Sequence, residues 1–400
     1  MKILYFGTVC DPTRYEHILK GCKRKPTVAT VVFESALLEG FKQNGVKLEI
    51  HSFPMIPTFP NSKLLRFGGQ EETLRCGYRC RWLKTVNFPF VKQLSRRMDG
   101  RKVLKRWCRE NAGDGVLLTY SLPPFLTKEM LRYAKRYGIK TVAIVPDLPA
   151  NMYLNHKSNR VLYALKSLYL RSSLKYQDKF DGYVYLTKAM SEAMAPGKPY
   201  IVVEGILNTD SHEVSEKCSK AAPRAIMYAG QLHEKYGITH LLDAFERLQL
   251  EDTQLWLFGA GNSVPEIQKR AAENPKICYF GRVSREEILK RESQATLLIN
   301  PRSVKDAFTK YSFPSKIIEY MYSGTPLLTT RLEGIPSEYF DYVFSAPDNT
   351  APYFDAAMQE ALLLSDDLLK EKGWKARQFV VKEKNAKKQS EKILRFIGTL

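Results

Sequence analysis

Residues 225–262 read AIMYAGQLHEKYGITHLLDAFERLQLEDTQLWLFGAGN. The apolar run AIMYA ends at Gly230, Gly237 precedes the helical pattern ITHLLDAFERL, and a second apolar run, QLWLF, ends at Gly259 and Gly261. A strand, a glycine turn, a helix and another strand make one step of a parallel sheet. The rhythm continues through VPEIQKRAAEN, ICYFG, REEILKRES, ATLLINP, IIEYMYSG and PLLTT. Ser284 followed three residues later by Glu287 is a capping box, which sets the start of one of these helices.

Working outward, the first half carries the same alternation. MKILYF precedes the helical pattern FESALLEGFKQNG and the strand VKLEIHSF; after a long basic stretch come VLLTYSL, a helix ending AKRYG, KTVAIVPD, a basic helical segment, YVYLT and YIVVEG. Four hundred residues exceed one ordinary core, so two domains are expected. The polar run of residues 207–224 suits a linker. The expected organisation is α/β: a first domain over 1–206, a second over 225–355, and C-terminal helices over 356–400 that need not pack on the second domain alone. Two Rossmann-like, doubly wound domains of this kind would face each other across a ligand cleft.

Composition narrows the partners. A hydrophobic content of 44% with 12% aromatics is ample for packed cores and argues against disorder. The net charge of +20 lies wholly in the first half, where 35 Lys and Arg face 15 Asp and Glu; residues 201–400 hold 27 of each. Such asymmetry points the first domain at something anionic: nucleic acid, an acidic membrane or a phosphate-bearing substrate. The start, MKILYFGTVCDP, turns polar too quickly for a secretory leader and reads as a strand. Seven scattered cysteines then fit reduced thiols in the cytoplasm, and no Cys/His set has the spacing of a metal site. No apolar run reaches the roughly 20 residues of a membrane span.

The chemistry is expected at strand ends. Gly230, Gly259 and Gly261 sit where backbone N–H groups can approach a phosphate, although glycine is also the ordinary turn residue. No complete dinucleotide fingerprint or Walker loop is present. In SFPSKIIEYMYSGTP, residues 312–326, Ile317, Ile318, Met321 and Tyr322 form a buried stripe, and Lys316 and Glu319 share the other side. Gly324 and Pro326 end the helix. Lys316 makes sense beside an anion such as a diphosphate, and Glu319 beside ribose hydroxyls. On spacing alone a solvated ion pair accounts for the same two residues.

The motifs YAGQLHEKYGITHLLDAF, LWLFGAG and NPRSVKDAFTKYSFPSKIIEYMYSGTPLLTT resemble glycosyltransferase family 4 of the bacterial polysaccharide and cell-envelope type, over nearly the whole chain. That resemblance implies the GT-B fold and a cytoplasmic, metal-independent, hexosyltransferase-like enzyme. It would take a sugar from a nucleotide-diphosphate sugar, with retention at the anomeric carbon and without a further cofactor. Glu319 matches the glutamate that contacts the nucleotide ribose. The chain departs from the family where a glutamate precedes this one by eight positions, since Tyr311 stands there, and where an Arg and a Lys hold the diphosphate, since those positions are Gln231 and Tyr236. Lys235, Arg302, Lys310 and Lys316 are the replacements available, with Lys316 and Arg302 favoured. The donor-binding set is therefore Gly230, Gln231, Lys235, Gly259, Gly261, Arg302, Tyr311, Ser312, Phe313, Pro314, Ser315, Lys316 and Glu319.

The acceptor side is expected in the first domain, at Gly7, Thr8, Glu34 and Asp147, with Glu204 and Gly205 approaching the donor. Asp147 and Lys316 are the residues expected nearest the reacting groups, Asp147 being equally readable as a turn cap. Fixed cations would stabilise the departing diphosphate. The family implies that the leaving phosphate itself takes the acceptor proton. Residues 157–175 form a basic amphipathic pattern, equally readable as a core helix with snorkelling cations. Together with Arg75, Arg79, Arg81, Arg96, Arg97, Arg101 and Lys102 they suggest docking on an anionic membrane and a lipid-linked or glycan acceptor. A nucleic-acid binder would explain the charge, though not two doubly wound domains, and no nucleic acid is expected as partner. A sugar-nucleotide epimerase and a non-catalytic nucleotide-sugar binder are the other readings.

Overall fold

The computed structural model describes residues 2–23, 29–148, 174–207 and 220–400. The chain divides into two compact units, Met1–Asn208 with Ala386–Leu400, and Thr209–Asn385.

The first unit contains β1 (Lys2–Gly7), β2 (Leu48–Ser52), β3 (Arg66–Phe67), β4 (Glu71–Thr73), β5 (Arg79–Trp82), β6 (Thr85–Val86), β7 (Gly115–Tyr120), β8 (Lys140–Val145), β9 (Gly182–Tyr185) and β10 (Tyr200–Val202). Eight of these form one sheet in the order β10-β9-β8-β7-β1-β2-β5-β4. The strands β1, β2, β5 and β7–β10 run parallel, as the alternation predicts, while β4 pairs antiparallel with β5. That edge, the short β3–β6 pair and the helix Val91–Glu110 all arise within the basic stretch, where charged residues hide the periodicity. One face packs through Ile3, Tyr5, Ile50, Cys80 and Trp82 against the helix Ala29–Gln43. The last helix, Ala386–Thr399, lies against that helix so closely that a Cβ on Gly40 would come within 2.0 Å of the Ala386 carbonyl oxygen.

The second unit holds β11 (Arg224–Gln231), β12 (Thr253–Ala260), β13 (Ile277–Gly281), β14 (Leu297–Asn300), β15 (Leu327–Thr330) and β16 (Phe344–Ala346), all parallel, in the order β13-β12-β11-β14-β15-β16. Its helices Ile238–Leu248, Val264–Glu273 and Arg285–Gln294 fall where the sequence predicts them. The Ser284 side chain accepts the Glu287 N–H at 3.2 Å, the expected cap. Tyr353–Leu363 and Asp366–Glu383 pack within this unit. Both units are Rossmann-like. In each, the chain winds outward from a central strand in one direction and then in the other. The switch points therefore lie between β1 and β7 and between β11 and β14, and ligands of such sheets bind beyond the carboxyl ends of those strands.

Candidate active site

Four loops meet at the β11/β14 switch point. The β11 loop is held by Tyr320, whose hydroxyl donates to the Ala229 carbonyl at 3.0 Å and accepts the Ala229 N–H at 2.9 Å. This bond clamps the helix Lys316–Tyr322 to the end of β11, one residue before Gly230. The glycines explain how the other loops come in. A Cβ on Gly259, at φ +130°, would stand 1.8 Å from the Gly230 carbonyl oxygen; on Gly261, 2.0 Å from that of Leu232; on Gly237, at φ +81°, 1.8 Å from that of Pro301. Close backbone approach is thus a use of these glycines that the structure shows directly. His233 Nδ1 and Asn262 Oδ1, 2.9 Å apart, join the β11 and β12 loops again.

Two groups of cations result. Lys316 Nζ lies 3.0 Å and Arg285 3.4 Å from the Glu319 carboxylate. Burial opposes the charge on Lys316, but Glu319 and then Glu292 outweigh it and raise its pKa. Across the switch point the Arg302 guanidinium sits 4.7 Å over the Tyr236 ring, and Lys235 Nζ is 5.1 Å from the same ring and 5.8 Å from Phe308. Burial pulls the Arg302 pKa down, with Tyr228, Tyr236 and Tyr320 opposing the shift. Thr330 donates to the Arg302 carbonyl at 2.7 Å, fixing the loop after β14. Lys310 lies 5.0 Å over Tyr311.

Of the sequence-predicted residues, Gly230, Lys235, Gly259, Gly261 and Arg302 fall at or beyond the carboxyl ends of β11, β12 and β14, Lys316 and Glu319 lie on the helix that Tyr320 ties to β11, and Gln231 is exposed at the end of β11. Tyr311 and Ser312 are half-buried and Ser315 is exposed. Phe313 and Pro314 are buried, the Phe313 ring packing 5.5 Å from Tyr339, so they shape the loop and do not present side chains to its surface. The helix of Lys316 has only seven residues, and the cation group around it is a sounder basis for anion binding than its dipole.

Glu292 was not anticipated. It is fully buried in the helix Arg285–Gln294, neither carboxylate oxygen has a hydrogen-bond partner, and burial pushes its pKa up to about 8 against the opposing charge of Lys316. It stands four residues after Ile288, on the inward stripe, which is the signal the sequence offered. Tyr320, Arg285 and the His233–Asn262 pair were likewise missed.

In the first unit Gly7, Thr8 and Glu34 come together beside the β1/β7 switch point. Glu34 is fully buried: Tyr5 Oη donates to it at 2.7 Å, the Thr8 N–H at 2.9 Å, and the Thr8 hydroxyl also bonds to it. Burial raises its pKa to about 7. Its oxygens are thereby engaged in holding the end of β1, and Thr8 is what it positions. Asp147 is exposed beyond β8 and accepts the Leu148 N–H at 3.0 Å, a local turn bond. Glu204 is buried, and the Gly205 carbonyl accepts from Gln389 Nε2 at 2.7 Å.

One residue of the expected basic docking surface needs correction. Arg96 is buried, donating to the Pro54 carbonyl at 2.9 Å and to Thr85 at 3.2 Å, with its guanidinium 5.7 Å from the Phe67 ring and 6.0 Å from that of Phe125. Arg97 and Arg101 pair with the buried Glu129 at 2.6 and 3.4 Å. Within residues 157–175, Lys157, Arg160, Lys166 and Arg171 lie outside the described residues. No described helix is long and apolar enough to cross a membrane.

Residues 223–362, from the start of β11 through the helix after β16, match the family model Glycosyl transferases group 1. No curated protein matches the sequence. Among solved structures, sucrose-phosphate synthase from Thermosynechococcus elongatus is 14% identical with a TM-score of 0.64, the alignment covering 100% of this chain and 99% of that one. HepE from Anabaena, solved in complex with UDP, is 13% identical with a TM-score of 0.64 and 100% coverage of both chains. The apo lipopolysaccharide outer core galactosyltransferase WaaB is 13% identical with a TM-score of 0.59, covering 100% and 99%. The family match over the second unit supports sugar transfer, and these neighbours share the GT-B fold over the full length.

Proposed function

We propose that the protein moves a hexosyl group from a nucleotide-diphosphate sugar, bound at the β11/β14 switch point, to a lipid-linked or polysaccharide acceptor. The observation that carries this reading is the pair of cation groups, Lys316 about Glu319 and Arg302 with Lys235 about Tyr236, on elements beyond the carboxyl ends of β11 and β14, where Rossmann-like sheets hold nucleotides. Glu319 takes the ribose hydroxyls, releasing part of its hold on Lys316 and Arg285. Lys316 and Arg302 then face the diphosphate, whose negative charge grows as the glycosidic bond breaks. Fixed cations meet that charge without a metal ion, and the chain uses no further cofactor. The leaving phosphate takes the acceptor proton on the face it departs from, so the anomeric configuration is retained and no protein base is required.

The acceptor binds at Gly7, Thr8 and Asp147, where Thr8 is held in place by Glu34. The basic excess of the first half supports a peripheral position on the cytoplasmic face of the cell membrane, of the polysaccharide or cell-envelope type. The test is thermal stabilisation by a panel of nucleoside diphosphates and their sugars, since a ligand of the folded state raises the melting temperature. Uridine nucleotides lead the panel because HepE was solved with UDP. A selective shift that Glu319→Ala abolishes supports the site; no shift from any nucleotide refutes it.

A further inference from the structure

A second site lies within the first unit, along the face of its sheet. A cavity of about 680 Å³ opens between β2, β5 and β4 and the helix Val91–Glu110. Parallel sheets normally bury both faces behind apolar side chains. Here the face changes character toward its edge. Phe6 on β1 is paired with His51 on β2, His51 with Arg81 on β5, and Arg81 with Glu71 on β4, so one row runs from apolar to charged across four strands. Glu49 and Arg79 stand two residues along their strands and point to the same side. The helix meets them with Asp99, Lys102, Val103 and Arg106, a single face by spacing, and three of those four are charged.

The charges do not cancel. Five cations, Arg79, Arg81, Lys84, Lys102 and Arg106, line the cavity against three carboxylates, Glu49, Glu71 and Asp99. Arg106 and His51 hold Glu49, and Arg81 sits 3.2 Å from Asp99. Among the described residues, Arg79, Lys84, Lys102 and Glu71 form no ion pair, leaving an excess of two positive charges. His51 adds a donor or acceptor: it is buried, its Nε2 faces Glu49 at 2.8 Å, and its Nδ1 has no partner. The size suits a small-molecule ligand, and guanidinium and ammonium groups around a concave wall suit a phosphate. The cavity runs along Leu48–His51, not at the carboxyl ends of the strands where Gly7 and Thr8 lie.

We propose that this cavity binds a soluble, phosphate-bearing small molecule, through Arg79, Lys84 and Lys102, at a site separate from the donor crevice. Pyrophosphate is the probe, titrated calorimetrically into Lys235→Ala/Arg302→Ala/Lys316→Ala, in which the donor crevice is disabled, and into the same variant carrying Arg79→Ala and Lys102→Ala. Binding to the first, weakened about tenfold or more in the second, is the expected result. No binding to the first, or equal binding to both, overturns the proposal. Retention on phosphatidylglycerol vesicles through Arg79 and Lys102, with no pyrophosphate binding, also overturns it, since the anion would then be a lipid headgroup. Unchanged unfolding midpoints show that the variants are folded; if Arg79→Ala lowers the midpoint, Arg79→Gln replaces it. Because the donor crevice is disabled throughout, failure here leaves the donor reading untouched.

Discussion

Replacing Glu292 by glutamine should remove most of the pH dependence that this residue imposes on stability. The carboxyl group is fully buried, faces Lys316, Glu319, Arg285 and Tyr320, and has no hydrogen-bond partner. Its pKa rises from the ordinary 4.5 to about 8, so the folded state keeps the proton over that interval while the unfolded state has released it. Stability contributed by the neutral form is therefore complete below pH 4.5, declines as pH rises, and is gone above about 8. At about 1.4 kcal/mol per pH unit the difference amounts to a ceiling of about 5 kcal/mol. Glutamine is nearly isosteric and never ionises, so its own contribution to stability is independent of pH. Urea unfolding of both proteins at pH 5 and pH 9 would be followed by tryptophan fluorescence, Trp256 and Trp374 reporting on the second unit. The variant should gain on the native protein by several kcal/mol between the two conditions. A difference that changes by less than about 1 kcal/mol would refute the buried, neutral carboxyl.

Other expectations concern the crevice and the first unit. Lys316→Ala and Glu319→Ala should each weaken binding of the cognate nucleoside diphosphate by about tenfold or more in calorimetry, with native affinity in both removing the site assignment. Gly259→Ala should cost about 3 kcal/mol or more in urea unfolding, since its Cβ would strike the Gly230 carbonyl; a cost below about 1 kcal/mol would show that the loop yields. Lys92 is buried against the Ile56 carbonyl and its pKa falls to about 7. The folded state has therefore lost the proton above that pH while the unfolded chain holds it up to 10.5. The native protein should gain stability relative to Lys92→Met as pH rises through this window, and a flat difference would contradict the assignment.

Local features were legible because they depend on neighbours in the chain. Helical spacing in ITHLLDAFERL, the Ser284 cap and the Gly324–Pro326 stop need only a few adjacent residues to act, and each appears in the structure where it was read. The alternation of strand and helix was enough for the fold class, since parallel strands require a crossover between them. It also placed Lys316 and Glu319 on one side of a short helix. Arg96 was misread for the complementary reason: charge predicts exposure only when nothing else in the fold supplies a partner. Arg96 found the Pro54 carbonyl and the Phe67 and Phe125 rings, whereas Arg97 and Arg101 pair with Glu129 and keep their exposure.

By itself, then, the sequence determined the elements, their order and the residues available for anion binding. Tertiary structure decided which strands became central, and with them the switch points; it set Tyr320 against Ala229, brought Glu292 beneath Lys316 and left a charged cavity beside β2. Each of these depends on pairing between segments tens of residues apart, where strand register and burial are settled by the whole sheet and its covering helices. The charge on a residue is written in the sequence, but its partner and its access to water are properties of the fold.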